Sequence, residues 1–504
     1  MVAKALTIMR SIVIPAVAAG AIAFCIQSFL WRMFYTPEKI HIETKALKTD
    51  ISFAPEKRKK GAELTEVQTS WGTCVFSTDG ASLESVEFNR NDQSKKRPIR
   101  TLFPLSDTER EKRTFLVAFD GSSPFFYDLT GRTSESDCEL ISYQAQTSFA
   151  TIYKTFAVYH DIHKIDLILR IVPTAGSQVN PRIICASPVM PDIIKYDTTS
   201  ALILDKNDDF YKTARTKLDT DKEWVTPAIF GTENRYVIHA LVGDMNHFAT
   251  RAYYTFADKR TVMSVIEGPV VDEEKEWRLS FYYGPKEERA LSAVDPRLEK
   301  ALDYAGMLAP ISRFLLMILN WLYLFFHNYG FAIIILTMLL QLCLLPLTMK
   351  SDKAMKHNAE LQKKIAYLKN KYKDNPEQFE REKMELLKKM QGLSSFLPLV
   401  IQAMVFFALS RVLGNAIELY QSSLLWIPDL SATDPYYILP LCVMGGMLLR
   451  SKAEDATQRI SMGIVALVFG ALMTTLSSGL VLYIACSSLY SGLQLRLMQY
   501  LKIV

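Results

Sequence analysis

The sequence predicts a polytopic α-helical membrane protein of six spans, with one large all-β sandwich domain set between the first span and the second. Three observations predict it. Charged residues recur every few positions from about residue 35 to about residue 310, whereas residues 314–504 are mostly long apolar runs. The charged part consists of short segments rich in β-branched and aromatic residues with turn clusters between them. Connections in the apolar part alternate between basic and free of Lys and Arg, as positive-inside topology requires.

Whole-chain figures average over this split: 49 % of residues are hydrophobic and 22 % charged. A net charge of +5 on 504 residues is too small to argue for nucleic acid, and no basic block with interleaved aromatics occurs. Seven cysteines are scattered without CxxC pairs or histidines at zinc spacing, so no metal is expected. Cys25, Cys343, Cys442 and Cys486 lie in apolar runs as small hydrophobes. Cys74, Cys138 and Cys185 lie in the β domain, where three cysteines allow at most one disulfide and leave open whether it forms.

Residues 1–34 read as an uncleaved transmembrane anchor. Ser11 to Trp31 carries no charge, supplies the ~20 apolar residues a span needs, and ends on bulky residues without a small-x-small cleavage site. Lys4 and Arg10 keep its N-terminus in the cytoplasm.

Residues 35–308 form the exported domain. The segments 151–159, 164–172, 235–242, 251–257, 261–268 and 277–284 read as strands, and "FDGSSP", "DKNDD" and "GDMN" as turns between them. "APEKRKKGAE" (54–63) reads as a linker, and "DPRLEKALDYAGML" (295–308) as mostly helical.

Between Arg313 and Lys350 lies a run of 36 uncharged residues. As one helix it would be ~54 Å long against a hydrocarbon core of ~30 Å. The run breaks at "HNYG" (327–330), so 309–329 becomes an interfacial helix rich in aromatics and 330–349 the second span. Residues 350–392 turn polar, with 12 Lys/Arg against 7 Asp/Glu, and read as a cytoplasmic helical hairpin around "KDNPE". Residues 393–504 supply spans three to six, with a second 36-residue uncharged run, 460–495, turning at "TTLSSG" (474–479). Basic connections at 350–392 and 450–459 and Lys/Arg-free ones at 414–435 and 474–479 place both termini in the cytoplasm and the β domain on the trans side.

No catalytic constellation is present, and the chain reads as a non-enzyme without cofactors. His160 and His163 are spaced i and i+3, which on a strand would put them on opposite faces, and they read as surface histidines. P-loop, HExxH, GxSxG and dinucleotide-binding fingerprints are all missing. The informative residues are polar ones inside spans: Thr337 and Gln341 on one helix face, Gln402 in the next span, Arg411 near its outer end, and Ser487 and Ser488 in the last. Two readings remain: interhelical hydrogen bonds that hold the bundle together, or a hydrated cavity between helices. A fourth span of only 15 uncharged residues and Pro346, Pro398 and Pro440 inside spans favour the cavity.

From about Tyr304 onward the chain resembles the YidC insertases. The strings "GFAIIILTMLLQLCLLPLT", "LPLVIQAMVFFALSRVL", "LWIPDLSATDPYYILPL" and "SSGLVLYIACSSL" carry the resemblance, supported by span order, the hairpin and the anchored exported domain. It implies a five-helix insertase core with a polar groove open to cytoplasm and lipid, and a β-super-sandwich-like periplasmic domain. The resemblance further implies that the substrates are nascent membrane proteins, inserted and helped to fold in the bacterial inner membrane, alone or with the Sec translocon. Thr337, Gln341, Gln402, Tyr483, Ser487 and Ser488 match groove positions, with Gln341 where relatives usually carry a single arginine. Arg411 either replaces that charge or reaches lipid headgroups. Hairpin residues Met355, Lys363, Lys364, Met384, Lys388 and Lys389 are candidates for substrate and ribosome contact; a solvated hairpin facing membrane lipids is the plainer alternative. A channel or transporter would show internal repeats or several charged spans, and an anchored sugar-binding domain would need clustered carboxylates and histidines.

Overall fold

The computed structural model describes residues 51–53, 61–89, 99–101, 113–189, 199–257, 261–302, 309–372, 376–389, 397–450 and 456–500. The expected anchor at 1–34 and residues 54–60 of the expected linker lie outside them. The chain divides into a β unit, Pro37–Asp303, and a helical unit that takes in Tyr304–Val504.

The β unit is built on a nine-stranded antiparallel sheet. From edge to edge its strands are Phe210–Ala214, Ser200–Leu204, Ile229–Glu233, Val237–Asp244, Lys275–Pro285, Lys164–Pro173, Ala150–Tyr159, Cys138–Gln146 and Asp128–Ser134. The central strands are the segments whose alternation is clearest in sequence. In Ala150–Tyr159, Ala150, Ile152, Lys154, Phe156 and Val158 point into the core. The register puts Phe156, Phe281 and Phe230 on one sheet face.

Two smaller sheets cover that face. Glu223–Val225, Arg251–Phe256, Val262–Glu267, Arg182–Ala186 and Leu116–Ala118 form a five-stranded sheet. It presents Tyr254, stacked on Phe230 at 4.4 Å with its hydroxyl reaching the Leu202 and Gly231 carbonyls. Leu64–Gln68, Gly72–Ser77, Ser82–Phe88 and Ile99–Thr101 form a four-stranded sheet whose Phe76 packs on Phe156 at 4.8 Å. The result is a two-layer all-β sandwich with an aromatic core.

Several local expectations change. Within "FDGSSP", Gly121–Ser123 is not only a turn but a short strand paired in parallel with Ile51–Phe53. The segment after Asp295 is a 3-10 helix, Pro296–Ala301, capped by the Asp295 carboxylate, and follows helix α1, Glu288–Val294. His163 is not a surface histidine: its ring lies 4.9 Å from Trp71 and 5.9 Å from Phe88, and burial pulls its pKa down to about 4. Cys74, Cys138 and Cys185 are buried free thiols.

The helical unit contains α2 (Ala309–Phe326), α3 (Tyr329–Lys371), α4 (Pro376–Lys389), α5 (Leu397–Asn415), α6 (Ile438–Arg450), α7 (Ala456–Met473) and α8 (Ser478–Tyr500). Among the described residues two helical stretches, Tyr329–Lys350 and Ser478–Met498, are long and apolar enough to cross a membrane. Four others, Pro310–Phe326, Val400–Gly414, Ile438–Arg450 and Ile460–Met473, are apolar but shorter. α3 has 43 residues and continues without a break through Pro346 and across residues 349–350, so the boundary expected between 330–349 and 350–392 falls inside one helix.

Candidate functional site

The ends of the helices are fixed first, and they set the depth of every polar side chain. Asn328 accepts hydrogen bonds from Gly330 N (2.8 Å) and Phe331 N (3.2 Å) and so caps α3, while its amide donates to the Ser423 carbonyl at 3.0 Å. Ser478 N and Gly479 N, which open α8, donate to the Ala432 and Leu430 carbonyls at 2.6 and 2.8 Å. The loop between α5 and α6 therefore joins the starts of α3 and α8 and the end of α5 at one face of the unit. From that face Gln341 lies about 18 Å along α3, Ser487 about 14 Å along α8 and Gln402 about 20 Å back along α5, at 1.5 Å per residue.

At that common depth the three side chains meet. Gln341 Nε2 donates to Ser487 Oγ, and Gln402 Nε2 approaches the same oxygen at 3.3 Å. One hydroxyl thus bridges three apolar helices, and Gln341 is only 4 % exposed. An amide in an apolar bundle costs free energy unless it finds partners. The side chains consequently satisfy one another.

The other groove candidates divide. Thr337, one turn before Gln341, is buried and donates back to the Ile333 carbonyl at 2.7 Å. Tyr483 is buried one turn before Ser487. Ser488 turns away: its hydroxyl donates to the Ala485 carbonyl, and a Cβ on Gly446 would lie 2.6 Å from it. Ser488 belongs to the close contact between α6 and α8, where Gly446 and Gly492 let the backbones approach. Arg411 is half-buried about 6 Å from the end of α5 and nine residues beyond Gln402, so it does not join the cluster. In the hairpin, Lys364 and Met384 are exposed, and Tyr372 of the first arm donates to Glu382 of the second at 2.8 Å. The side chains of Met355, Lys363, Lys388 and Lys389 lie outside the described residues.

Sequence reasoning passed over Asn328, Asp429 and Asp434. Asp429 accepts from Gln421 N and Ser431 N, and Asp434 from Trp426 Nε1, Tyr436 N and Leu439 N. An Asn or Asp ahead of an apolar run is a legible helix-start signal. Lys154, at a core-facing strand position, was passed over as well; alternation alone gives no partner for a buried ammonium.

A profile of the family described as 60Kd inner membrane protein matches residues 321–503, and one described as YidC periplasmic domain matches residues 64–318. The "Membrane protein insertase YidC" of Helicobacter pylori is 30 % identical over 362 residues, covering 68 % of this chain and 63 % of that protein. That of Geobacter metallireducens is 27 % identical over 440 residues, covering 83 % and 82 %. Several relatives are matched over less than two thirds of their own length, among them that of Geotalea daltonii at 54 %. An "Active YidC insertase crystal structure" aligns over 88 % of this chain with a TM-score of 0.36 and 18 % identity.

Proposed function

The chain belongs to the YidC family, with its periplasmic domain, and from that premise we propose that it inserts nascent membrane proteins into the bacterial inner membrane. The observation that carries the reading is the polar cluster of Gln341, Gln402 and Ser487, which joins the apolar stretches of three helices. Polar side chains at mid-depth in apolar helices mark a path for polar cargo. A substrate's hydrophilic segment exchanges its water for these amides and hydroxyls along a groove that also includes Thr337 and Tyr483. Burial of the substrate's ~20 apolar residues in lipid drives the step, so neither nucleotide nor chemical catalysis is required.

Six spans with both termini cytoplasmic and the β unit periplasmic complete the reading. The two long helices and four shorter apolar ones support five of these crossings and one interfacial helix, and the charge pattern of the loops supports the orientation. A chaperone role in folding the inserted helices, cooperation with the Sec translocon, and contacts of the hairpin with ribosome and lipid headgroups belong to the same proposal. At the position of Gln341 the groove presents a neutral amide instead of a cation.

The test is depletion of the protein in cells, followed by protease protection of small one- and two-span substrates and rescue by variants. Gln341→Ala is expected to lower insertion several-fold and Gln341→Arg to restore no more than the parent. Abolition by Ala together with a large gain from Arg would show that a charge is needed there. Unimpaired insertion after depletion would remove the function itself.

A further inference from the structure

In the loop between α5 and α6, Leu425 packs against little among the described residues. Leu424 and Ile427 exchange both backbone hydrogen bonds, Leu424 N to Ile427 O at 2.9 Å and Ile427 N to Leu424 O at 2.8 Å. This closes a two-residue turn over Leu425 and Trp426. Leu425 takes the first central position with φ +51°, where such a turn calls for glycine. Adjacent leucines behave oppositely: Leu424 is 4 % exposed and lies against Gly330 at the start of α3, whereas Leu425 is 79 % exposed. A γ-branched side chain is held in a left-handed conformation with little burial among the described residues to offset the strain.

Hydrogen bonds hold the turn from beneath. Trp426 Nε1 donates to Asp434 Oδ1 at 3.2 Å, Leu430 N donates to Ser422 O at 2.8 Å, and Asn328 holds Ser423 O. The same loop exposes Tyr436 and Tyr437, the latter also at positive φ, and leads directly into the exposed apolar side chains Ile438 and Leu441 of α6. No Lys or Arg occurs between Arg411 and Arg450. Tyrosines at the end of an apolar helix, an exposed leucine and the lack of cations match the boundary between headgroups and acyl chains, and they do not match a charged partner.

We propose that Leu425, with Tyr436 and Tyr437, is an apolar prong that dips into the lipid interface at the membrane face where α3 and α8 begin. The proposal rests on the reading of α3 as a membrane span. It assigns the strain at Leu425 to lipid contact, which anchors the loop and with it the capped starts of α3 and α8.

The test uses the full chain in vesicles of phosphatidylethanolamine and phosphatidylglycerol, with the cysteines of the apolar segments replaced by alanine. An environment-sensitive dye is placed on Leu425→Cys, on Leu342→Cys at an exposed mid-α3 position, and on Leu64→Cys in the β unit. Shallow spin-labelled lipids should quench the dye at 425 about twofold or more beyond that at 64, and deep spin-labelled lipids should quench 342 most strongly. Equal quenching at 425 and 64 would overturn the prong, including the case in which another protein or the β unit covers it. Failure at 342 would instead remove the span reading. Leu425→Gly should leave the thermal midpoint in detergent unchanged or raised, because glycine relieves φ +51°. A lowered midpoint would show that Leu425 serves the fold and would overturn the proposal.

Discussion

The β unit and the helical unit each bury a polar group that sequence patterning would place elsewhere, and they satisfy it in opposite ways. In the β unit Lys154 is fully buried, and its Nζ donates to the carbonyls of Gly80 at 2.8 Å, Ala81 and Phe115. Gly80, Ala81 and Phe115 all have positive φ, so two irregular segments turn their carbonyls inward. Three donors at once require the ammonium form, which the faces of Tyr127 and Phe156 at 5.1 and 5.5 Å also favour, although burial pulls its pKa well below the ordinary lysine value. In the helical unit the buried group is the neutral amide of Gln341. It is met by side chains from two other helices. A sandwich with irregular connections can solvate a buried charge with backbone. The Gln341 cluster instead meets a neutral amide with side chains.

The largest test of this contrast is Lys154→Met. Three inward carbonyls lose their donor, and each orphaned group costs ~1–3 kcal/mol, so the β unit should lose about 3 kcal/mol or more in urea unfolding of the full chain followed by tryptophan emission. A loss below about 1 kcal/mol would mean that water replaces the ammonium and that the contrast is not real.

Acid separates the two units next. Burial holds His163 at about 4 and His239 at about 3, against 6.5 in the unfolded chain. As pH falls the unfolded chain takes up these protons first. The stabilisation is therefore complete above pH 6.5 and is lost progressively between 6.5 and 3. The Gln341 cluster contains no group that titrates in this range, so the helical unit should show no matching transition from these residues. Replacing His239 with Gln should flatten the slope of β-unit stability against pH.

Ser487→Ala is the smallest change. It removes the shared hydroxyl from both amides and should cost about 1 kcal/mol, the usual worth of side-chain bonds between membrane helices, read as earlier unfolding of the helical unit in detergent. The β-unit transition should not move. A cost of several kcal/mol would place the cluster in the same class as Lys154.

Much of the fold was legible because it rests on patterns that repeat. The strand 251–256 and the strand 262–267 fall within one residue of the segments read from alternation, and the helix break at 327–328 and the turn at 474–477 fall where the long uncharged runs exceed a membrane's thickness. Edge and short strands were missed. Gly121–Ser123 carries no alternation to detect, and its strand character comes only from its partner Ile51–Phe53. The continuity of α3 across residues 349–350 was also missed: a change from apolar to charged residues does not itself end a helix.

For the candidate site, the sequence by itself determined which polar residues lie inside apolar helices and roughly at what depth, because charge runs and helix rise fix both. Only the tertiary structure decided that Gln341, Gln402 and Ser487 share one contact while Ser488, next in the chain, faces Gly446 instead. Successive residues on a helix lie about 100° apart, so rotation about the helix axis separates neighbours that the linear sequence presents together.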